Sequence, residues 1–450
     1  MFPQILIDVG VLAVLFFTRI GLPIGLTLAV GFWLERKLHP RAEAEAATAA
    51  APSKPTLRLR IAQEFNALPA WLPAIFMVLM IGLVAAAFRL MFGLGEATNL
   101  SQAYPWGLWI GFDLFMVAFS GGAFTLATLV YVLNMHQFHA AIRPTVLTGL
   151  LGYSSVLVIL MMDLGRWDRF YHFMIYPNLN SALFEVSWCI MLYTTVLFME
   201  FSPIILQRFK WTRAMGIIRK LTIVFAILGA TLSTLHQSSL GTLFIVMSQR
   251  VHPLWYTEIM PILFFLSSIV AGLAMVIAGA TVSYWVFKRS LDQKLVGGLA
   301  RFVPWVLAVY LLVRLGDLFL SGKGGMLLTS GGYSVLYLAE LAFGFVLPGI
   351  LFSLKRVRAS RALSLVAGAN LLLGIFMNRF DVAWFSMSPI PGYSYFPSLT
   401  EIAIQAGVLA GVILVYTLVG HYFPLFEGTM VREKQKEAVK EEVLQPGRAY

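Results

Sequence analysis

Tyr104-Pro-Trp-Gly-Leu-Trp-Ile-Gly-Phe-Asp113, Met162-Asp-Leu-Gly-Arg-Trp-Asp-Arg-Phe170 and Asn180-Ser-Ala-Leu-Phe-Glu-Val-Ser-Trp-Cys189 decide how this chain is read. Each sits at the end of a long apolar run, and each carries a carboxylate there: Asp113, Asp163 and Glu185. An ionisable side chain at membrane depth costs at least about 2.5–3.5 kcal/mol on insertion scales, so it is kept only with a partner or a task. The stretch from Tyr104 to Cys189 therefore reads as one wall of a site for a polar-headed, lipid-soluble ligand.

The rest of the composition agrees with a membrane setting. Of the 450 residues, 59% are hydrophobic and only 12% charged, against about 25% charged in a soluble domain. Eleven runs are long and apolar enough for membrane-spanning helices: 6–33, 70–93, 105–134, 144–163, 182–207, 217–241, 257–287, 300–320, 330–354, 362–378 and 402–424. The fold class is an all-α integral membrane protein. Threading the spans alternately puts 25 of the 33 Lys and Arg on one side, which predicts an external N-terminus and an internal C-terminus. The formal charge of +11 is thereby explained by cytoplasmic loops, and no nucleic-acid partner is called for. The first run lacks a basic n-region and reads as a span rather than a signal peptide.

Four segments result: an accessory transmembrane helix over 1–34, a cytoplasmic linker over 35–69, a main membrane domain over 70–424 and a cytoplasmic tail over 425–450. The linker is rich in Ala, Glu and Pro. The loops expected outside, Trp167 to Asn180, Ser248 to Trp255 and Phe380 to Phe396, are rich in aromatics and poor in Lys, as a docking surface would be.

The chemistry concentrates near the outer ends of four successive spans, with Asp113, Asp163, Glu185 and His236 as its members. A quinone needs groups to hydrogen-bond its head and carboxylates to supply or collect protons. Asp113 and His236 are therefore the candidates to hold the head, and Asp163 and Glu185 the candidates to relay protons. Arg166 and His172 are further candidates for contact with the head, against plainer readings as a counter-ion to Asp163 and a loop residue. Elsewhere, Arg314 and Asp317 are one turn apart and expected to neutralise each other. Arg89 is expected to snorkel, Arg19 to face another helix or subunit, and Ser120-Gly121-Gly122 to let helices pack closely. The single cysteine, Cys189, and the scattered histidines predict no metal, haem or iron–sulfur cluster in this chain.

Several motifs recur in one order over most of the length: Phe92-Gly-Leu-Gly95, Tyr104 to Asp113, Asp163-Leu-Gly-Arg166, Phe184-Glu-Val-Ser-Trp-Cys189, His236-Gln-Ser-Ser-Leu-Gly241, Val251-His-Pro-Leu-Trp255, Asn378-Arg-Phe380 and Gly392-Tyr-Ser-Tyr-Phe-Pro397. In these the chain resembles the NrfD/PsrC superfamily of quinone-interacting membrane subunits, and within it most of all the HybB-type membrane subunit of periplasmic nickel–iron hydrogenases. The resemblance implies a haem-free membrane subunit of anaerobic respiration in the bacterial inner membrane. It implies two four-helix bundles, here spans three to six and seven to ten, and menaquinone bound near the periplasmic face. It further implies a periplasmic ferredoxin-like iron–sulfur subunit, with hydrogenase or multihaem cytochrome catalytic subunits behind it, and membrane lipid around it. The helix at 6–33 is extra to that pattern. Coupled proton translocation is left open. A proton or ion translocator without its own quinone site, or a structural anchor, are the alternatives.

Overall fold

The computed structural model describes residues 71–287, 292–387 and 393–425. The expected accessory helix at 6–33, the linker and the tail from 426 lie outside the described residues. The chain divides after Pro69 into two units, and the second, from Ala70 onward, holds the described residues.

Among the described residues, ten helices are long and apolar enough to cross a membrane. They are α1 (Leu72–Phe92), α2 (Leu108–Val132), α3 (His136–Asp163), α4 (Ala182–Arg208), α5 (Thr222–Val246), α6 (Met260–Tyr284), α7 (Gln293–Leu320), α8 (Gly332–Ser353), α9 (Arg361–Phe385) and α10 (Leu399–Tyr422). The protein is an all-α, multi-pass membrane protein, and these ten match ten of the eleven expected spans. Helix ends follow local chemistry. Pro73 sits in the first turn of α1, where its missing N–H costs nothing, and Gly93 ends that helix at φ 90°. Ser181 and Ser360 cap α4 and α9, and Ser398 with Glu401 forms a capping box on α10.

Several boundaries differ from expectation: α3 starts at His136 rather than 144 and α7 at Gln293 rather than 300, and α5 and α9 differ for reasons that can be named. α5 runs to Val246 rather than 241, because the basic stretch Thr212–Lys220 forms a separate surface helix before it. α9 continues to Phe385 through a π-helical segment, Asp381–Phe385. It thus carries Arg379, expected in an outer loop, into the interior. There its terminal nitrogens are met by the Ser267 hydroxyl, the Phe264 carbonyl and the Asn378 amide oxygen, while its Nε has no partner among the described residues.

α2 to α5 form one bundle and α6 to α9 a second, joined through α2, α5, α6 and α9. α1 and α10 pair with each other and lean on α3. The connections 93–107, 164–181, 247–259 and 321–331, with residues 386–387 and 393–398, share one face. Val251 bridges Met387, His252 N–H donates to the Ser386 carbonyl, Lys323 donates to the Tyr256 carbonyl, and Asn99 donates to the Phe396 carbonyl. Tyr, Trp and Phe crowd these connections, which together make an aromatic face.

Close approach rests on small residues rather than apolar bulk, as it must where lipid is as apolar as Leu. A Cβ on Gly82 of α1 would lie 2.5 Å from the Gly407 Cα of α10. One on Gly272 of α6 would lie 2.5 Å from the Gly122 nitrogen, so Ser120-Gly121-Gly122 is a helix-crossing point. The outward side of α1 instead exposes Phe76, Met77, Ile81 and Val84, a surface suited to acyl chains.

Replacing Gly407 by Leu should push α10 off α1 and cost about 1–3 kcal/mol. Gly216→Ala, which meets nothing within 4 Å, should be neutral or slightly stabilising in its surface helix. Thermal unfolding of the two variants in detergent measures the difference.

Candidate functional site

The interior of α2 to α5 is polar where a bundle core is usually apolar. Asp113, in the second turn of α2, is buried, and its Oδ2 has no hydrogen-bond partner among the described residues. Facing α2, α5 brings His236 and Gln237. The Gln237 Nε2 donates to the Val117 carbonyl at 2.9 Å, one turn beyond Asp113, and so ties the two helices at this level. His236 is 1% exposed, yet neither ring nitrogen has a partner among the described residues. Tyr153 of α3 and Tyr193 of α4 complete the group. Their ring centroids are 4.7 Å apart, and Tyr153 stands 5.5 Å from the His236 ring.

Eight buried polar atoms around these residues lack a well-formed hydrogen bond: Asp113 Oδ2, Ser120 Oγ, Tyr153 OH, Tyr193 OH, Ser233 Oγ, both nitrogens of His236 and Gln237 Oε1, although Ser233 lies near both tyrosine hydroxyls and the Val186 backbone near His236. Leaving one such group unsatisfied costs about 1–3 kcal/mol. A set of this size, holding donors and acceptors from four helices, suits a ligand head group that both accepts and donates hydrogen bonds. Glu200 lies half-buried two turns along α4 from Tyr193 and faces α5, its Oε1 3.8 Å from where a Gly229 Cβ would stand.

A second polar group rims the bundle at the aromatic face. Arg89 of α1 is fully buried. Its Nε donates to the Met162 carbonyl at 2.7 Å and its NH2 to the Leu164 carbonyl at 2.6 Å. These are end-of-helix carbonyls of α3, which lack intrahelical partners. Arg89 is therefore a tie between helices, not a snorkeller: acceptors are available inside. Asp163 sits between those two carbonyls in sequence and feels the charges of Arg89, Glu401 and Asp113. Glu401 is buried and satisfied, accepting from Tyr395 OH at 2.5 Å, Ser398 N–H at 2.8 Å and Asn99 N–H at 3.0 Å.

The remaining sequence candidates lie apart. Glu185 is exposed in the first turn of α4, because Val186, Cys189, Ile190 and Tyr193 form the buried stripe of that helix and Glu185 falls beside it. Arg166 is exposed and pairs with Asp168 rather than Asp163, through two contacts of 2.9 and 2.8 Å. The guanidinium holds the Asp168 carboxyl down at about 2, and the carboxylate raises Arg166 in return. The pair's contribution is thus present above the ordinary aspartate range and lost only as pH falls through about 2. His172 is half-buried in the loop after α3, edge-on to Tyr171 and Tyr176 at 5.0 and 5.5 Å. Sequence reasoning passed over Tyr153, Tyr193, Glu200 and Glu401. A lone acid in Phe198-Met-Glu-Phe-Ser202 was the available signal for Glu200.

Two apolar cavities flank these groups. One of ≈ 520 Å³ between α2, α5 and α6 is lined by Thr234 and Leu235, the residues just before His236. Another of ≈ 300 Å³ between α1, α3 and α10 reaches Met162, beside Asp163. The size suits an extended apolar chain.

Comparison with known proteins gives this arrangement its context. Residues 96–387 match the family model described as polysulphide reductase, NrfD. The chain belongs to the NrfD family. Among its NrfD-family relatives is the probable Ni/Fe-hydrogenase 2 b-type cytochrome subunit of Escherichia coli, 32% identical over 75% of this chain and 87% of that one. The integral membrane subunit of menaquinone reductase from Nitratidesulfovibrio vulgaris is 30% identical over 79% and 91%. The Hdr-like menaquinol oxidoreductase integral membrane subunit of Archaeoglobus fulgidus is 22% identical over 75% and 89%. With these relatives, the chain is a membrane subunit of a respiratory redox system.

Arg89→Met should strand the buried Met162 carbonyl, release that of Leu164 and lower stability by about 1–3 kcal/mol. Arg166→Gln, at an exposed pair, should leave the thermal midpoint unchanged. Unfolding of both purified variants in detergent tests the contrast.

Proposed function

We propose that this chain is the quinone-reactive membrane subunit of a respiratory complex in the cytoplasmic membrane. The head of a menaquinone or menaquinol enters the polar interior of α2 to α5. A partner docks on the aromatic face, taken in this reading as the outer one, in keeping with the asymmetry of basic residues: an iron–sulfur subunit of ferredoxin type, or a multihaem cytochrome. Behind it stand catalytic subunits such as those of a hydrogenase. The observation that carries this reading is the eight unpaired polar atoms drawn from four helices around Asp113 and His236. The relatives support it, since they include subunits of a menaquinone reductase and of a hydrogenase.

A bound quinone supplies a carrier of two electrons and two protons. The residues of this chain do the rest. The His236 N–H and the hydroxyls of Tyr153 and Tyr193 donate to a carbonyl oxygen, while Asp113 Oδ2 and Gln237 Oε1 accept from a hydroxyl. Asp163, electrostatically joined to Asp113 and held at the rim by its neighbours of α1 and α10, passes protons toward the aromatic face. Glu185, exposed at the same face, is their outlet. His236 is the only buried histidine among the described residues. In this reading electrons arrive through the partner. The partner's seat is the loop after α3, which exposes Tyr176 at 71% and Leu179 at 88%.

Asp113→Asn and His236→Ala should each lower quinone-linked turnover of the intact complex about 10²-fold or more, with all subunits retained on purification. Wild-type turnover in both would leave the chain an anchor or an ion translocator. Tyr176→Glu with Leu179→Glu should instead release the partner from an otherwise stable membrane subunit, read by the subunit composition of the purified complex.

A further inference from the structure

The second bundle holds a buried charged cluster of its own, which the quinone reading does not use. Its centre is Glu340 of α8, with no exposure at all. Arg314 NH1 donates to its Oε1 at 2.5 Å, the Asn378 amide to the same oxygen at 2.9 Å, and Trp255 Nε1 to its Oε2 at 2.8 Å. This replaces the expected pairing of Arg314 with Asp317. Arg314 points instead across to α8, where the Tyr337 hydroxyl and ring also receive it.

Asp381 of α9 is equally buried, and its carboxyl lies within hydrogen-bond reach of Glu340. Neither Asp381 oxygen has a well-formed hydrogen bond, and the nearest donor is the Trp255 N–H that already bonds Glu340. Two carboxylates in contact, away from water, repel each other strongly, and a shared proton is what turns such a contact into a hydrogen bond. The other ionisable groups facing the pair are Arg314 and Tyr310 from α7, Tyr337 from α8 and Arg379 from α9. α6 contributes Ser267 and Phe264 to Arg379 but no charge. One proton with two arginines and two carboxyls leaves the cluster at +1, and its loss leaves it neutral. Both states are electrostatically reasonable, which is what an exchangeable site requires.

The backbone gives a second, independent sign. Each of the two acids opens a π-helical segment, Glu340–Val346 in α8 and Asp381–Phe385 in α9. Such turns are rare and concentrate at functional sites. An Arg–Glu pair alone would need neither. Over the cluster lies the loop of the aromatic face, with Trp255 edge-on to Tyr337 at 5.2 Å and His252 stacked on Tyr333 at 4.4 Å. Burial lowers the affinity of His252 for a proton.

We propose that Glu340 and Asp381 share one exchangeable proton, forming a proton-binding site in the second bundle that is separate from the quinone site of the first. Loading takes the proton from water and release returns it to water; no electron moves. The site stands on its own geometry and does not depend on the quinone reading.

The test is infrared difference spectroscopy of the purified complex between high and low pH, in the absence of quinone and reductant. A carbonyl-stretch band of a protonated carboxyl, shifted in D₂O, is expected. Asp381→Asn and Glu340→Gln should each abolish it. Trp255→Phe, which removes one donor to Glu340 and keeps both acids, should move the band without removing it. An unchanged band in an assembled Asp381→Asn complex, or no shift in Trp255→Phe, overturns the proposal. Since no quinone is present, failure here leaves the quinone reading where it stood, and loss of quinone turnover in Asp113→Asn leaves this site where it stood.

Discussion

A charge inside a membrane domain must be met by another charge or by backbone carbonyls, because no water is there to meet it. The architecture of this chain follows from where it places those meetings. Arg89 holds the frayed carbonyl end of α3 from α1. Glu401 gathers Asn99, Tyr395 and Ser398 where α10 begins. Arg314 reaches from α7 to Glu340 of α8, and Arg379 from α9 to Ser267 of α6. Each contact joins helices that apolar packing alone would leave free to rotate, since lipid competes with apolar faces on equal terms. Glycine pairs such as Gly82 with Gly407 then let the joined helices come close enough for dispersion to add up.

The two bundles use their polar groups differently. In the second, Glu340 receives three donors, and both arginines are engaged. The first bundle has Asp113, His236 and two tyrosines buried with polar atoms unpaired. A structural network saturates its members, because a partly satisfied one is worse than an apolar core. The first bundle, with most of its buried polar atoms unpaired, is therefore the one arranged for a guest; in the second the unpaired atoms gather on α9, at Arg379 Nε, Asn370 Oδ1 and the Asp381 carboxyl, beside the fully engaged Glu340.

Hydropathy made the spans legible. Ten of eleven ranges drawn from composition coincide with helices, missing by a few residues where a basic surface helix or a π segment blurred the end. The polar residues were less legible, and for one reason: spacing along a helix says which residues are neighbours on that helix, not which face another. Arg314 and Asp317 are one turn apart, yet the shorter path to a full negative charge was across to Glu340. Arg89 looked free to reach the interface, but carbonyls of a different helix were nearer. Asp113 could be read because it is a lone polar group on an apolar run, and His236 because Thr234-Leu-His-Gln-Ser-Ser239 is unusually polar for a span. Tyr153 and Tyr193 could not, since a tyrosine in a span is usually an anchor at the interface. Only the packing of α3 against α4 shows them meeting His236 in the interior.

Glu185 marks the boundary between the two kinds of evidence. Its place at the head of a span was visible in the sequence, and so was its charge. Which side of the helix it takes depends on the buried stripe through Val186, Cys189, Ile190 and Tyr193, and that stripe turns it outward. An exposed carboxylate at a helix start needs no partner: the helix dipole favours it and water solvates it. It costs the fold little, so its presence is no sign of strain compensated elsewhere. Asp113 has neither comfort. A buried carboxylate kept without a full set of donors is the costlier choice, and the physical reason to keep it lies with what enters beside it.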